Sequence, residues 1–286
     1  MNTPSDTPTT ELSAGEQELA QASTSLVDTD TWVDPELAAL CREAAADGAV
    51  LLRNDGTLPF AARARVALFS RVQIDYFTVG YGSGGDVNAP YSWNLLDALR
   101  DAAVVDVDAE LADLYTQWSK DNQPDEGTWG SWPRYFEEMP IERETVRAAA
   151  SRTDAAVVVI GRAAGEAREN TLEPGSYYLT DDERALLDSV TAEFERTVVV
   201  LDCGNVIDLA WLEEYGDKIS SVLYAWQGGM EGARSVADVL TGVQVPGGRL
   251  TDTIARHYED YPSAPNFGGL EHNDYAEDIY VGYRYF

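Results

Sequence analysis

Ala155-Ala156-Val157-Val158-Val159-Ile160-Gly161-Arg162-Ala163-Ala164-Gly165-Glu166 is the stretch that decides the fold. Its apolar run is rich in β-branched residues and has no polar interruption. Such a run reads as a strand buried on both faces, the kind found in parallel sheets. In open α/β sheets ligands gather beyond the carboxyl ends of such strands. Glu166 stands in the loop that follows, and the functional reading therefore begins with this carboxylate. Further along come a turn at Pro174-Gly175 and then Thr180-Asp181-Asp182-Glu183, a capping box with Thr at the N-cap and Glu at N3. The box opens a helix with the apolar stripe Leu186, Leu187, Val190 and Phe194.

Outward from this core the same alternation repeats. Strands are expected at 65–69, 197–201 and 220–226, with an edge strand at 104–107. Helices are expected at 35–47, 92–99, 109–120, 142–151, 207–215 and 231–240. Pro35 opens the first of these, Leu37, Leu40, Cys41 and Ala44 form its apolar face, and Gly48 ends it. Ser92 is the expected cap of the second. Val50 to Asn54 is a short extended segment, and Asn122 to Pro140 an aromatic insertion. Strand and helix alternating with crossovers of this length imply an α/β fold, a three-layer sandwich around a mostly parallel sheet of about six strands. Residues 1–31 hold no Lys or Arg and few large apolar groups, so they read as a flexible acidic leader ahead of one domain, 32–286.

Composition excludes several classes. With 50 acidic and 20 basic residues in 286, the formal charge is -30. Nucleic acid and anionic membranes need Lys and Arg to replace counterions, so neither is an expected partner. Cys41 and Cys203 match neither a disulfide framework nor zinc-ligand spacing, and with His257 and His272 as the only histidines a metal site has little to draw on. No cofactor is expected. No apolar run approaches the roughly 18 residues that span a bilayer, and the first residues lack a signal peptide's basic and apolar regions. The cytoplasm is the simplest compartment, and a homo-oligomer is left open.

Several loops compete for function. Gly80, Gly82 and Gly85 form a G-x-G-x-x-G match, but the preceding strand ends about ten residues too early for a dinucleotide turn and no Walker lysine follows. A structural or sugar-contacting loop is the better reading, with a nucleotide-binding α/β protein as the rival. Arg71 to Phe77 mixes polar and aromatic groups beyond a strand end, which suits a polyhydroxylated ligand or a plain loop. Asp202-Cys203-Gly204-Asn205 and Trp226-Gln227-Gly228-Gly229 are βα turns at equivalent positions. Local pattern alone leaves Glu166 open to being an ordinary surface carboxylate.

Several segments taken together resemble glycoside hydrolase family 3, specifically its α/β sandwich domain. These are Leu40 to Asn54, Gly56-Thr57-Leu58-Pro59, Gly161 to Glu166, Ala225 to Gly229, Ala237 to Gly242, Pro246 to Leu250, and Tyr280 to Phe286. The segments at 71–85 and 162–166 are most similar to members with inverted domain order. The resemblance implies a retaining β-glycosidase, β-glucosidase-like, acting on a β-linked glucoside or oligosaccharide. Glu166 then carries over as general acid/base, its pKa raised by burial against a neighbouring (β/α)₈ barrel that supplies the aspartate nucleophile. A retaining site needs its two carboxyl groups about 5–5.5 Å apart, so the chain alone is expected to be inactive, with the barrel domain as its partner. Arg162, Asn170 and Asp75 are the candidate substrate-binding residues. The chain departs from the family pattern at Ala167, Arg168 and Glu169, where many relatives have Gly-x-Asp-Arg. A non-catalytic sugar-binding or structural domain is the alternative. The loop from Gly161 to Thr180 is expected to be long, exposed and mobile, since the barrel is what would hold it in place.

Overall fold

The computed structural model describes residues 33–286, apart from positions 84, 86, 88, 126, 129, 167 and 270. The leader expected over 1–31 lies outside the described residues. Among those described, the strands are β1 (Val50–Asn54), β2 (Arg65–Phe69), β3 (Asp106–Val107), β4 (Ala155–Arg162), β5 (Thr197–Cys203) and β6 (Ser221–Tyr224). The α-helices are α1 (Pro35–Gly48), α2 (Leu95–Ala102), α3 (Ala109–Asp121), α4 (Arg143–Arg152), α5 (Asp181–Glu193), α6 (Trp211–Tyr215) and α7 (Gly232–Thr241). The sheet order is β1-β6-β5-β4-β2-β3. Strands β3, β2, β4, β5 and β6 run parallel, while β1 closes the opposite edge antiparallel to β6.

Every residue of β4 and of β5 is buried, because the two strands are central and helices cover both sheet faces. The side-chain period of two divides each strand between two cores. Val157 and Val159 of β4 with Val198 and Val200 of β5 pack beneath α1, α2 and α7, meeting Ala46, Leu95, Leu99 and Leu240. Val158, Ile160, Val199 and Leu201 face the other way, onto Tyr115, Val146, Leu187 and Trp211 of α3 to α6. The capping box at the start of α5 forms: Glu183 N–H donates to Thr180 Oγ1 at 3.1 Å, and Thr180 N–H to Glu183 Oε2 at 2.8 Å.

The extended segment expected over 50–54 is an edge strand of the sheet. Three local expectations are corrected. Helix α2 begins at Leu95, because Asn94 rather than Ser92 accepts the N–H of Asp97. Helix α6 occupies only Trp211–Tyr215, within the expected 207–215. On α1 the leucine face points outward, with Leu37 and Leu40 exposed. What docks this helix is Arg42, whose Nε and Nη2 each lie 2.5 Å from a carboxylate oxygen of the buried Asp238 on α7. Gly48 closes α1 without a left-handed residue, since the following Ala49 is extended.

Candidate active site

Because β2, β4, β5 and β6 are parallel, the loops that follow them emerge on one edge, and hydrogen bonds stitch them together there. Tyr81 N–H donates to the Ala164 carbonyl at 2.8 Å, and Glu166 N–H returns to the Tyr81 carbonyl at 3.1 Å. Gly204 N–H donates to the carbonyl of Arg162 and Gly229 N–H to that of Thr78. Phe77 N–H reaches a carboxylate oxygen of Asp202 at 2.8 Å. Asp202 is fully buried, and burial pushes its pKa well above the usual carboxylate range. Its carboxyl braces the loop after β2 against β5 from under the edge.

The glycine-rich loop serves close approach between backbones. At Gly82 the backbone has φ +109°, and a Cβ there would sit 2.5 Å from Glu166 Cβ. Side chains on Gly80, Gly165 and Gly204 would also meet neighbouring loops at under 3.0 Å. This loop follows the turn at Arg71–Gln73 and ends well before α2, so its N–H groups do not open a helix as a dinucleotide site requires. The nucleotide reading is set aside on that geometry.

Glu166 lies on this edge with its side chain exposed. One oxygen, Oε2, accepts both the Ser83 hydroxyl at 2.6 Å and the Ser83 N–H at 2.9 Å. These bonds, the hydroxyl first, hold the carboxyl below the usual Glu range. The elevation by burial that the resemblance implies is thus absent in this chain. Tyr81 and Ser83 contact the start of the 161–180 loop through both backbone and side chain.

Tyr81, which accepts the Glu166 N–H, also lines a cavity of about 490 Å³ whose walls include Asp75, Phe77, Trp132 and Phe136. Tyr81 and Trp132 stack with planes 4° apart and centroids 5.4 Å apart, and Phe77 stacks on Phe136 at 4.6 Å. As sequence, the aromatic insertion points to no particular site residue, because Trp132 and Phe136 carry no periodic signal. The buried Arg71 fixes their segment, donating to the carbonyls of Asn122 at 2.7 Å and Glu137 at 2.8 Å while stacking over Trp118.

The three candidate substrate-binding residues each have partners within the protein. Arg162 is 1% exposed, and each of its five N–H donors is used. They reach both oxygens of Glu183, at 2.6 and 2.7 Å, and the carbonyls of Gly161, Ser176 and Tyr178. Asn170 is spent on the loops themselves, donating to the Val206 carbonyl at 2.6 Å and accepting from Asn205. Asp75 does line the cavity, but its carboxylate accepts from Arg71 Nε and Ser119 Oγ, each at 2.9 Å. All three support the edge. No cluster of three or more His, Cys, Asp or Glu side chains among the described residues could hold a metal ion.

Comparison with known proteins gives this geometry a family. The glycosyl hydrolase family 3 C-terminal domain matches residues 49–283. A β-glucosidase of Ruminococcus albus is 42% identical over 245 residues, covering 85% of this chain and 26% of the relative. β-Glucosidase A of Butyrivibrio fibrisolvens is 36% identical, over 85% of this chain and 32% of that one. Among solved structures, a β-glucosidase from Paenibacillus barengoltzii superposes with a TM-score of 0.87 at 46% identity, covering 89% of this chain and 28% of its own. β-Glucosidase 3B from Thermotoga neapolitana, in complex with α-D-glucose, superposes at 0.78 with 34% identity, covering 87% of this chain and 36% of its own. The chain thus spans about a quarter to a third of the length of these relatives. By this match over most of its length and by its sheet, the chain belongs to glycosyl hydrolase family 3, as a C-terminal domain of that family.

Proposed function

We propose that this domain supplies the general acid/base of a retaining, β-glucosidase-like glycosidase, with Glu166 as that residue. The observation that carries the reading is the setting of Glu166: an exposed carboxyl on the edge where four strand-ends converge, next to an aromatic-walled cavity. Glu166 would protonate the leaving oxygen and then take the proton of the incoming water. The aromatic wall formed by the stacked Tyr81 and Trp132 would border the sugar or aglycone on the leaving side. A retaining mechanism needs a second carboxylate, and among the described residues none perturbs Glu166. The remaining two-thirds to three-quarters of the relatives' length leaves room for a barrel domain carrying it. The substrate is then a β-linked glucoside or oligosaccharide. Cys41 and Cys203 are unpaired, which supports the cytoplasm as the compartment.

Two measurements test the reading. The purified chain should not turn over an aryl β-glucoside, and turnover at rates typical of intact enzymes would refute the split site. In a protein joining this domain to its barrel, Glu166→Ala should be rescued by azide, yielding the β-glucosyl azide. Unaltered activity in that variant would instead make the domain a non-catalytic part of the cleft.

A further inference from the structure

We propose that Ser83 is a positioning residue for Glu166: the glycine-rich loop is a latch whose hydroxyl and backbone N–H hold one carboxylate oxygen, Oε2, and leave the other, Oε1, as the oxygen that exchanges the proton. The inference rests on the acid/base reading of Glu166 and goes beyond it by assigning the loop a task.

The latch is built from four neighbouring features. Gly82 is buried and left-handed at φ +109°, which brings the loop so close that a Cβ on it would strike Glu166 Cβ at 2.5 Å. Tyr81 pairs with Ala164 and Glu166 through backbone bonds, fixing the register of the two loops. Ser83 then presents two donors to the same oxygen, Oε2. The other oxygen, Oε1, takes no hydrogen bond in this arrangement among the described residues. Charge does not share the work. Arg134, Arg168 and Glu169 lie on the packed loops, but none is ion-paired to Glu166, and the Ser83 hydroxyl is the largest cause of its displacement with the N–H second.

The chemistry follows from proton bookkeeping. An oxygen that accepts two hydrogen bonds favours the ionised carboxylate. A general acid must instead arrive with its proton. With Oε2 held as an acceptor, the proton given in the acid half and the proton taken in the base half both pass through Oε1. The latch therefore assigns proton transfer to one oxygen of the carboxyl, without a second titrating group.

The test is a ¹³C NMR titration of the Glu side-chain carboxyls in the chain itself, with the Glu166 signal assigned through Glu166→Gln. Wild type should titrate below 4.5, the ordinary Glu value. Ser83→Ala should move that midpoint upward, toward 4.5. Ser83→Thr keeps the hydroxyl and should leave the midpoint low. Gly82→Ala should act like Ser83→Ala, because its Cβ drives the two loops apart. An unchanged midpoint in Ser83→Ala, or a Ser83→Thr midpoint raised as far as that of Ser83→Ala, would overturn the proposal. Neither outcome depends on activity, so the catalytic role of Glu166 stands or falls separately on the azide experiment.

Discussion

Replacing Arg162 with Met should destabilise the fold severely. The guanidinium is 1% exposed and its five donors serve both oxygens of Glu183 and three carbonyls. Met fills much of the volume but donates nothing, which strands the Glu183 charge at a site where its side chain is only 10% exposed. Removing one partner of a buried ion pair costs about 3–5 kcal/mol. That is a large share of the roughly 5–15 kcal/mol that holds a typical domain. At about 2–4 °C per kcal/mol for chains near this size, Tm should fall by roughly 6–20 °C. Urea unfolding of the chain, followed by tryptophan fluorescence, reads the loss directly as a lower midpoint. Arg162→Lys keeps the charge but lacks the planar fork, so its stability should fall between wild type and Arg162→Met. The double variant Arg162→Met/Glu183→Gln should recover part of the loss, since the stranded charge is gone while the cap at Thr180 can persist. An Arg162→Met chain within about 1 kcal/mol of wild type would contradict this account of the residue as an internal strut.

Three further outcomes are expected. Gly161→Ala should cost about 1–3 kcal/mol by overpacking, because its Cβ would meet Phe77 Cδ2 and Val72 Cγ1 at 2.7 Å; unchanged urea unfolding would show that these side chains yield freely. Thr180→Ala should cost about 1 kcal/mol through loss of the cap on α5, read in the same assay, and no loss would mean that Glu183 alone suffices. Glu138 is buried, and burial raises its pKa from 4.5 to about 7. The folded state therefore holds this proton more tightly than the unfolded one, and its contribution to stability declines as pH rises from about 4.5 to 7. Glu138→Gln removes that dependence. The variant should gain on wild type by up to roughly 2–3 kcal/mol between about pH 4.5 and 8, and a pH-independent difference would contradict the assignment.

What is legible in the sequence is what depends on neighbours along the chain. Strands β4 and β5 announce themselves because central parallel strands need apolar residues on both faces, and Thr180 with Glu183 reveals a helix start because a capping box spans only one turn. Glu166 can be placed on the edge for the same reason: it follows such a strand by a few residues. Long-range polar pairing is not legible. Leu37 and Leu40 read as the inner face of α1, yet Arg42 pairs with Asp238, 196 positions away, and turns them to solvent. Arg162 reads as a candidate substrate-binding residue near Glu166, and only the fold brings Glu183 and three carbonyls to its fork. Ser83 sits in a glycine run and Trp132 in an aperiodic insertion, so neither carries a local signal, and both acquire meaning from loops crossing at a shared edge.

The central claim is that Glu166 carries the proton to the leaving oxygen, and its leaving-group dependence tests that most directly. The measurement is kcat/KM for Glu166→Ala against wild type, in a protein joining this domain to its barrel, with alkyl β-glucosides and with activated aryl β-glucosides. Loss of a general acid costs about 10²–10⁴-fold where protonation is needed. The alkyl substrates should fall by that factor, while the activated aryl substrates, whose leaving groups depart as anions, should hold most of their kcat/KM. Equal losses for both classes would contradict the acid/base assignment.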